Sequence, residues 1–141
     1  MEETLESLEA KRKFVYQKLG EIGDFRRGII SVNYRKCGKK NCACAKPGHL
    51  GHGPQYLWNT TIKGKSYAKN LKLGPELEKY IQETDNYKEF LKLSKELVEV
   101  NEKVCELRPV REIGDRTELE ALKKKLLELF RKRFRGRWTE S

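Results

Sequence analysis

The sequence predicts an α+β fold: a small zinc-stapled three-stranded antiparallel sheet flanked by long amphipathic helices. Three observations predict it. Cys37, Cys42 and Cys44 crowd together with His49 and His52 in one short stretch. The segments around this knot alternate apolar and polar residues, the period of a half-buried strand. The segments at either end repeat apolar residues at steps of three and four, the period of an amphipathic helix.

The first element is a helix over residues 4–22. Leu5, Leu8, Val15, Leu19 and Ile22 fall on one stripe, and Gly20 and Gly23 can end it. Residues 29–35 then read as a strand, with Ile30, Val32 and Tyr34 on one face and Ser31 and Asn33 on the other. Residues 55–73 read as a hairpin. Gly64-Lys65 fits a two-residue turn with glycine first, type II′. That register sets Ile62 opposite Tyr67, Trp58 opposite Leu71 and Tyr56 opposite Leu73. One face is then aromatic and apolar, and the other holds Asn59, Thr61, Ala68, Asn70 and Lys72.

Gly74-Pro75 opens the next helix, with proline in its first turn. Thr84-Asp85-Asn86 can interrupt it, because Asn86 and Glu89 have capping-box spacing. From there Phe90, Leu93, Leu97, Val100, Val104 and Leu107 form a coiled-coil-like seam. The seam's expected partner is the last helix folded back, or the same helix in a second subunit. Cys105 lies in this segment and reads as a small buried thiol. Pro109 stops the helix; Thr117 and Glu120 form a capping box for a final one with Leu119, Leu122, Leu126, then Leu129 or Phe130, and Phe134 as an optional last member. The organisation is thus an N-terminal helix (1–24), a knot-and-hairpin module (25–74), a long helix (75–108) and a C-terminal helix with a basic tail (117–141).

The chain has 141 residues, with 31 Lys and Arg against 21 Asp and Glu, a net charge of +10. Mean hydropathy is −0.82, so the core is small for the length. No apolar run reaches the roughly 18 residues of a membrane span. The acidic start, Met-Glu-Glu-Thr-Leu-Glu, has no signal-peptide character, so a cytoplasmic protein is expected. In that compartment crowded cysteines read as metal ligands, not disulfides.

The knot has the spacing Cys-x4-Cys-x-Cys, then x4-His and x2-His. Thiolates and neutral imidazoles are the ligands that tetrahedral zinc prefers, and a closed structural site takes four. Cys37, Cys42 and Cys44 supply three, and either His49 or His52 completes the shell. Between Phe25 and Leu73 there is no Asp or Glu. A catalytic zinc keeps an open position and usually a nearby carboxylate base, so the expected role is structural Zn2+. No acidic cluster, nucleophile–base pair or phosphate loop suggests an enzyme.

The stretch Arg27-Gly28 to Tyr34-Arg35-Lys36-Cys37-Gly38, with Asn41-Cys42-Ala43-Cys44-Ala45 and then Gly51-His52-Gly53-Pro54-Gln55-Tyr56, resembles a zinc-ribbon-like family of small bacterial and archaeal proteins of unknown function. Its shared pattern runs RGS-x(4)-YRKCGKxNCxCA, then GHGPYY, a hairpin and a charged helix. Members are often encoded on or beside transposons and other mobile elements. The resemblance covers roughly residues 26–107 and implies His52 over His49 as fourth ligand, since His52 stands in the family's His-Gly-Pro position. Ile29 departs from the pattern, which often has serine there.

Basic residues concentrate in two places. Arg26, Arg27, Arg35, Lys36, Lys39, Lys40, Lys46, Lys63, Lys65, Lys69 and Lys72 rim the knot and hairpin. Arg131, Lys132, Arg133, Arg135 and Arg137 form the tail, which reads as an arm continuing past the helix end at Gly136. Interleaved Tyr34, Tyr56, Trp58 and Tyr67 can stack on bases, although the sheet's core is the stronger reading for Trp58 and less so for Tyr34. The expected partner is nucleic acid, DNA or RNA, with the chain an accessory to a transposase-like machine. The alternative is a protein–protein adaptor or homodimer acting through the helices.

Overall fold

The structure is a computed structural model; it describes the backbone of residues 2–139 and the side chains of residues 2–134. The described chain is α+β: three α-helices and a three-stranded antiparallel sheet. It divides into two units, Met1–Leu107 and Arg108–Ser141.

Within the first unit, helix α1 spans Leu5–Glu21. Thr4 caps it, and a reciprocal pair of bonds between Thr4 and Ser7 satisfies the free amides of the first turn. Strand β1 (Ile29–Arg35) leads into the knot, and strands β2 (His52–Ile62) and β3 (Lys65–Leu71) form the hairpin. β2 is central, in the order β1-β2-β3. Helix α2 runs from Pro75 to Leu107.

The hairpin register differs from the expected one by two residues. Tyr56 pairs with Leu71, Trp58 with Lys69 and Ile62 with Lys65. The turn is therefore Lys63-Gly64, with φ of 51° and 80°. Two positive φ values mark the type I′ turn, whose twist matches the flanking strands; glycine serves at its second place, not its first. A slip of two preserves every side-chain face. The aromatic face survives accordingly: Ile30, Tyr56 and Trp58 pack with Leu71 on Leu77 and Tyr80 of α2. Trp58 is locked there, its Nε1 donating to the Arg27 carbonyl at 2.9 Å and its ring edge-on to Tyr80.

The expected interruption at Thr84–Asn86 is absent. The Thr84 hydroxyl donates back to the Tyr80 carbonyl at 2.9 Å, within the helix, and Asn86 reaches across to the Asp24 carbonyl at 2.8 Å. Within its own unit the seam of α2 packs on α1, a neighbour the sequence does not single out. Leu8 and Val15 of α1 and Leu93 and Val104 of α2 are buried along this antiparallel pair. Arg12 donates to Asn101 and Lys103 pairs with Glu3 beside them. Leu97 is only half-buried, and Cys105 is exposed, not buried as expected.

One charged group joins the helices to the sheet. Glu83, buried on α2, takes an ion pair from Arg26 Nε at 2.9 Å and another from Lys79. The Arg26 guanidinium lies 3.8 Å from the Tyr80 ring centroid. The Lys79 hydrogen bond first, and then Arg26, hold the Glu83 carboxyl below the usual range despite its burial.

In the second unit, helix α3 spans Arg116–Thr139. Its first turn is capped by Asp115, whose carboxylate accepts the Thr117 amide at 3.0 Å, in place of the expected Thr117–Glu120 box. Glu120 pairs with Lys123 instead. The helix continues through Gly136, so the basic tail is helical backbone and not an extended arm.

Candidate metal centre

The knot is built where β1 ends and β2 begins. Cys37 follows β1 directly. Cys42 and Cys44 sit on either side of the start of a single 3-10 turn, Ala43–Ala45. The Ala45 amide bonds back to the Cys42 carbonyl at 3.0 Å, and this tight turn brings the two thiols to one side. His52 opens β2, paired with Arg35 of β1 across an irregularity in the ladder. Gly51 makes that pairing geometrically feasible: at φ 106°, a Cβ there would lie 2.7 Å from the Arg35 backbone.

Cys37, Cys42, Cys44 and His52 bring one ligand atom each to within 4.8 Å of all the others. Cys42 Sγ lies 3.1 Å from His52 Nε2, and Cys37 Sγ lies 3.5 Å from Cys44 Sγ. Metal–ligand bonds of about 2.0–2.3 Å imply tetrahedral edges of roughly 3.5 Å, so the cluster has the size of a four-ligand cage. Cys44 is buried and Cys37 exposed, giving the cage an inner and an outer side. His49 is outside it; its Nδ1 accepts the Gly51 amide at 2.9 Å, which shapes the loop.

Electrostatics favour a thiolate at the outer position. A backbone hydrogen bond from Lys39, with help from His52 and Cys44, brings the Cys37 pKa down to about 6. At Cys44 the Cys37 amide pulls downward, but burial and the neighbouring thiols outweigh it and push the group up. Three sulfurs and an imidazole this close bind a metal ion readily once the protons leave. By geometry and ligand chemistry the four residues could hold a metal ion.

The cationic candidates fall into three groups. Arg27, Arg35, Lys36, Lys39, Lys40, Lys46, Lys63, Lys65 and Lys72 are exposed around the sheet and knot. Arg26 is turned inward to Glu83, Tyr80 and Trp58, and the Lys69 ammonium is held at the Tyr80 hydroxyl, 3.2 Å away. Arg131, Lys132 and Arg133 are exposed on α3, whereas the side chains of Arg135 and Arg137 lie outside the described residues. Of the aromatics, Tyr56 and Trp58 belong to the core cluster, while Tyr34 and Tyr67 stay about half exposed. The inward role of Arg26 leaves no trace in sequence pattern, since Glu83 lies far along the chain. No helix among the described residues is long and apolar enough to cross a membrane.

A family model described as a domain of unknown function, DUF6788, matches residues 3–83, from α1 through the knot and sheet into α2. The match spans more than half of the chain, so the chain belongs to that family. No curated protein and no solved structure matches it.

Proposed function

We propose that this chain is a non-catalytic, zinc-stapled protein that binds nucleic acid. The observation that carries the reading is the coincidence of a Cys3His cluster with an acid-free segment, residues 25–73, rimmed by exposed Arg and Lys. Zinc is the metal that best suits three thiolates and one imidazole in a closed tetrahedral set. It would be held by Cys37, Cys42, Cys44 and His52 and would join the end of β1 to the start of β2. With no Asp or Glu between Phe25 and Leu73 to act as base, its role is to stabilise the fold, not to activate water.

Exposed cations with no acid between them attract phosphates by releasing condensed counterions. Arg35, Lys36, Lys39 and Lys40 cluster at the metal end of the sheet, and Arg131, Lys132 and Arg133 on α3 supply a second cationic stretch. A place beside a transposase-like machine rests on the resemblance of the knot to mobile-element proteins alone.

The test pairs metal content with binding across a salt series. Purified protein is expected to hold one zinc, and its affinity for nucleic acid to fall steeply as salt rises. Changing Arg35, Lys39 and Lys40 together to Ala should flatten the slope of log K against log salt by about 2–3 while leaving the zinc in place. Binding of every duplex and single strand no tighter than about 10⁻⁴ M at physiological salt overturns the reading. Retained binding to a protein partner in that case would favour the adaptor alternative, acting through α2 and α3.

A further inference from the structure

The sheet has a second face that the core does not use. β1 contributes Ser31 and Asn33 to it, β2 contributes Gln55 and Asn59, and β3 contributes Asn70, by the alternation of the observed register. All of these but Ser31 are exposed. Ile29, Leu57 and Ala68 supply the apolar atoms between them. The strands give this face no acid and no aromatic ring; the cations stand at its margins, at Arg27 before β1, Arg35 at the end of β1, Lys63 in the turn, Lys65 at the start of β3 and Lys72 beyond β3.

Resting on the nucleic-acid reading above, we infer that this amide-lined face of the sheet docks in the major groove of duplex DNA and reads base edges there. Neutral donors and acceptors surrounded by cations are the arrangement in which phosphate contacts position the protein and base contacts specify the sequence. Adenine offers an N7 acceptor and an N6 donor to the groove, which one carboxamide meets in pairs. Asn59 is exposed and spends one Nδ2 hydrogen on the Ser31 hydroxyl at 3.1 Å; a carboxamide has a second hydrogen and an oxygen with which to meet a base edge. Ile29 and Ala68 suit a thymine methyl. A two-stranded ribbon fits the roughly 12 Å groove, and the β2–β3 hairpin is such a ribbon, with β1 then beside one phosphate wall. Single-strand recognition is disfavoured because it needs stacking platforms, and Tyr56 and Trp58 are committed to the opposite face against α2. Duplex RNA is disfavoured because its deep, narrow major groove cannot be read by side chains.

The experiment uses the full zinc-loaded chain and selects sequences from a duplex DNA library with a randomised centre. Its preferred duplex is then compared with the RNA duplex and the single strand of the same sequence. Dimethyl sulfate footprinting reports guanine N7 in the major groove and adenine N3 in the minor groove. The expected result is a preferred duplex, N7 protection, and a ten- to hundred-fold loss on that duplex for Asn59→Ala or Asn70→Ala, with unchanged zinc content and unchanged affinity for unrelated duplex. Protection of adenine N3 alone, a library that returns no preferred sequence, or tighter binding to RNA duplex or single strand overturns this inference while leaving the nucleic-acid reading intact. No binding to any of the three overturns both.

Discussion

At the scale of single residues, the two histidines divide the work that sequence spacing leaves open. His52 Nε2 sits 3.1 Å from Cys42 Sγ, whereas His49 Nδ1 is engaged by the Gly51 amide. His52→Ala is therefore expected to lose stoichiometric metal, and His49→Ala to keep it with a small loss of stability. Metal content of the two purified variants decides, and the reverse order would move the fourth ligand to His49. Glu83 gives a second residue-level prediction. Its carboxyl is held low in the folded state, by Lys79 and then Arg26. A depressed folded value stabilises the protein above the unfolded carboxylate pKa, and that stability drains as pH falls through the folded one. Glu83→Gln should cost on the order of 1–3 kcal/mol at neutral pH, since it leaves the Arg26 charge against the core with weaker compensation. The gap between wild type and variant should stay constant above about pH 5 and narrow below it in thermal melts. A gap that widens in acid would contradict the assignment.

At the scale of elements, local signals are legible in the sequence and partners are not. The cysteine spacing marks the cluster that could hold a metal because its members lie close along the chain. The alternation of Ile30, Val32, Tyr56 and Trp58 assigns faces correctly even with the hairpin turn misplaced, because a two-residue slip conserves the pleat. The turn itself is ambiguous because both Gly64-Lys65 and Lys63-Gly64 are chemically acceptable, and only the type I′ form puts positive φ on a lysine. Capping-box spacing at Asn86 and Thr117 misleads for a related reason: Asn86 has a tertiary acceptor in Asp24, and Asp115 caps α3 two residues earlier. Nothing in periodicity says that the α2 seam meets α1. Burial singles out Leu93 and Val104, not Leu97, as its anchors. Leu93→Ala is expected to cost about 2–5 kcal/mol, and Leu97→Ala distinctly less, in denaturant unfolding. Equal losses would show that the seam is buried along its whole length.

At the scale of the whole molecule, the fold separates two kinds of stability. The sheet has a core of few residues, Leu71, Leu77 and Tyr80 with Ile30, Tyr56 and Trp58 around them, and three strands are about the minimum that stands alone. The α1–α2 pair has its own buried anchors, Leu8, Val15, Leu93 and Val104. A metal held at the knot, as proposed, would tie the end of β1 to the start of β2, and its binding energy would act on the sheet. Removing it by chelation, or changing Cys42 to Ser, should melt the sheet while most helicity remains. The near-ultraviolet signal of Trp58, held in the sheet by Arg27 and Tyr80, reports the loss, and the far-ultraviolet helical signal reports what survives. If the metal end of the sheet provides the phosphate contacts, the same treatment should weaken nucleic-acid binding in step with the Trp58 signal. Deleting residues 131–141 should instead weaken binding and flatten the salt slope while leaving the Trp58 signal and the zinc untouched, since those cations belong to α3. A Cys42→Ser protein with full metal occupancy and an unchanged Trp58 signal would remove the cluster from any part in holding the sheet.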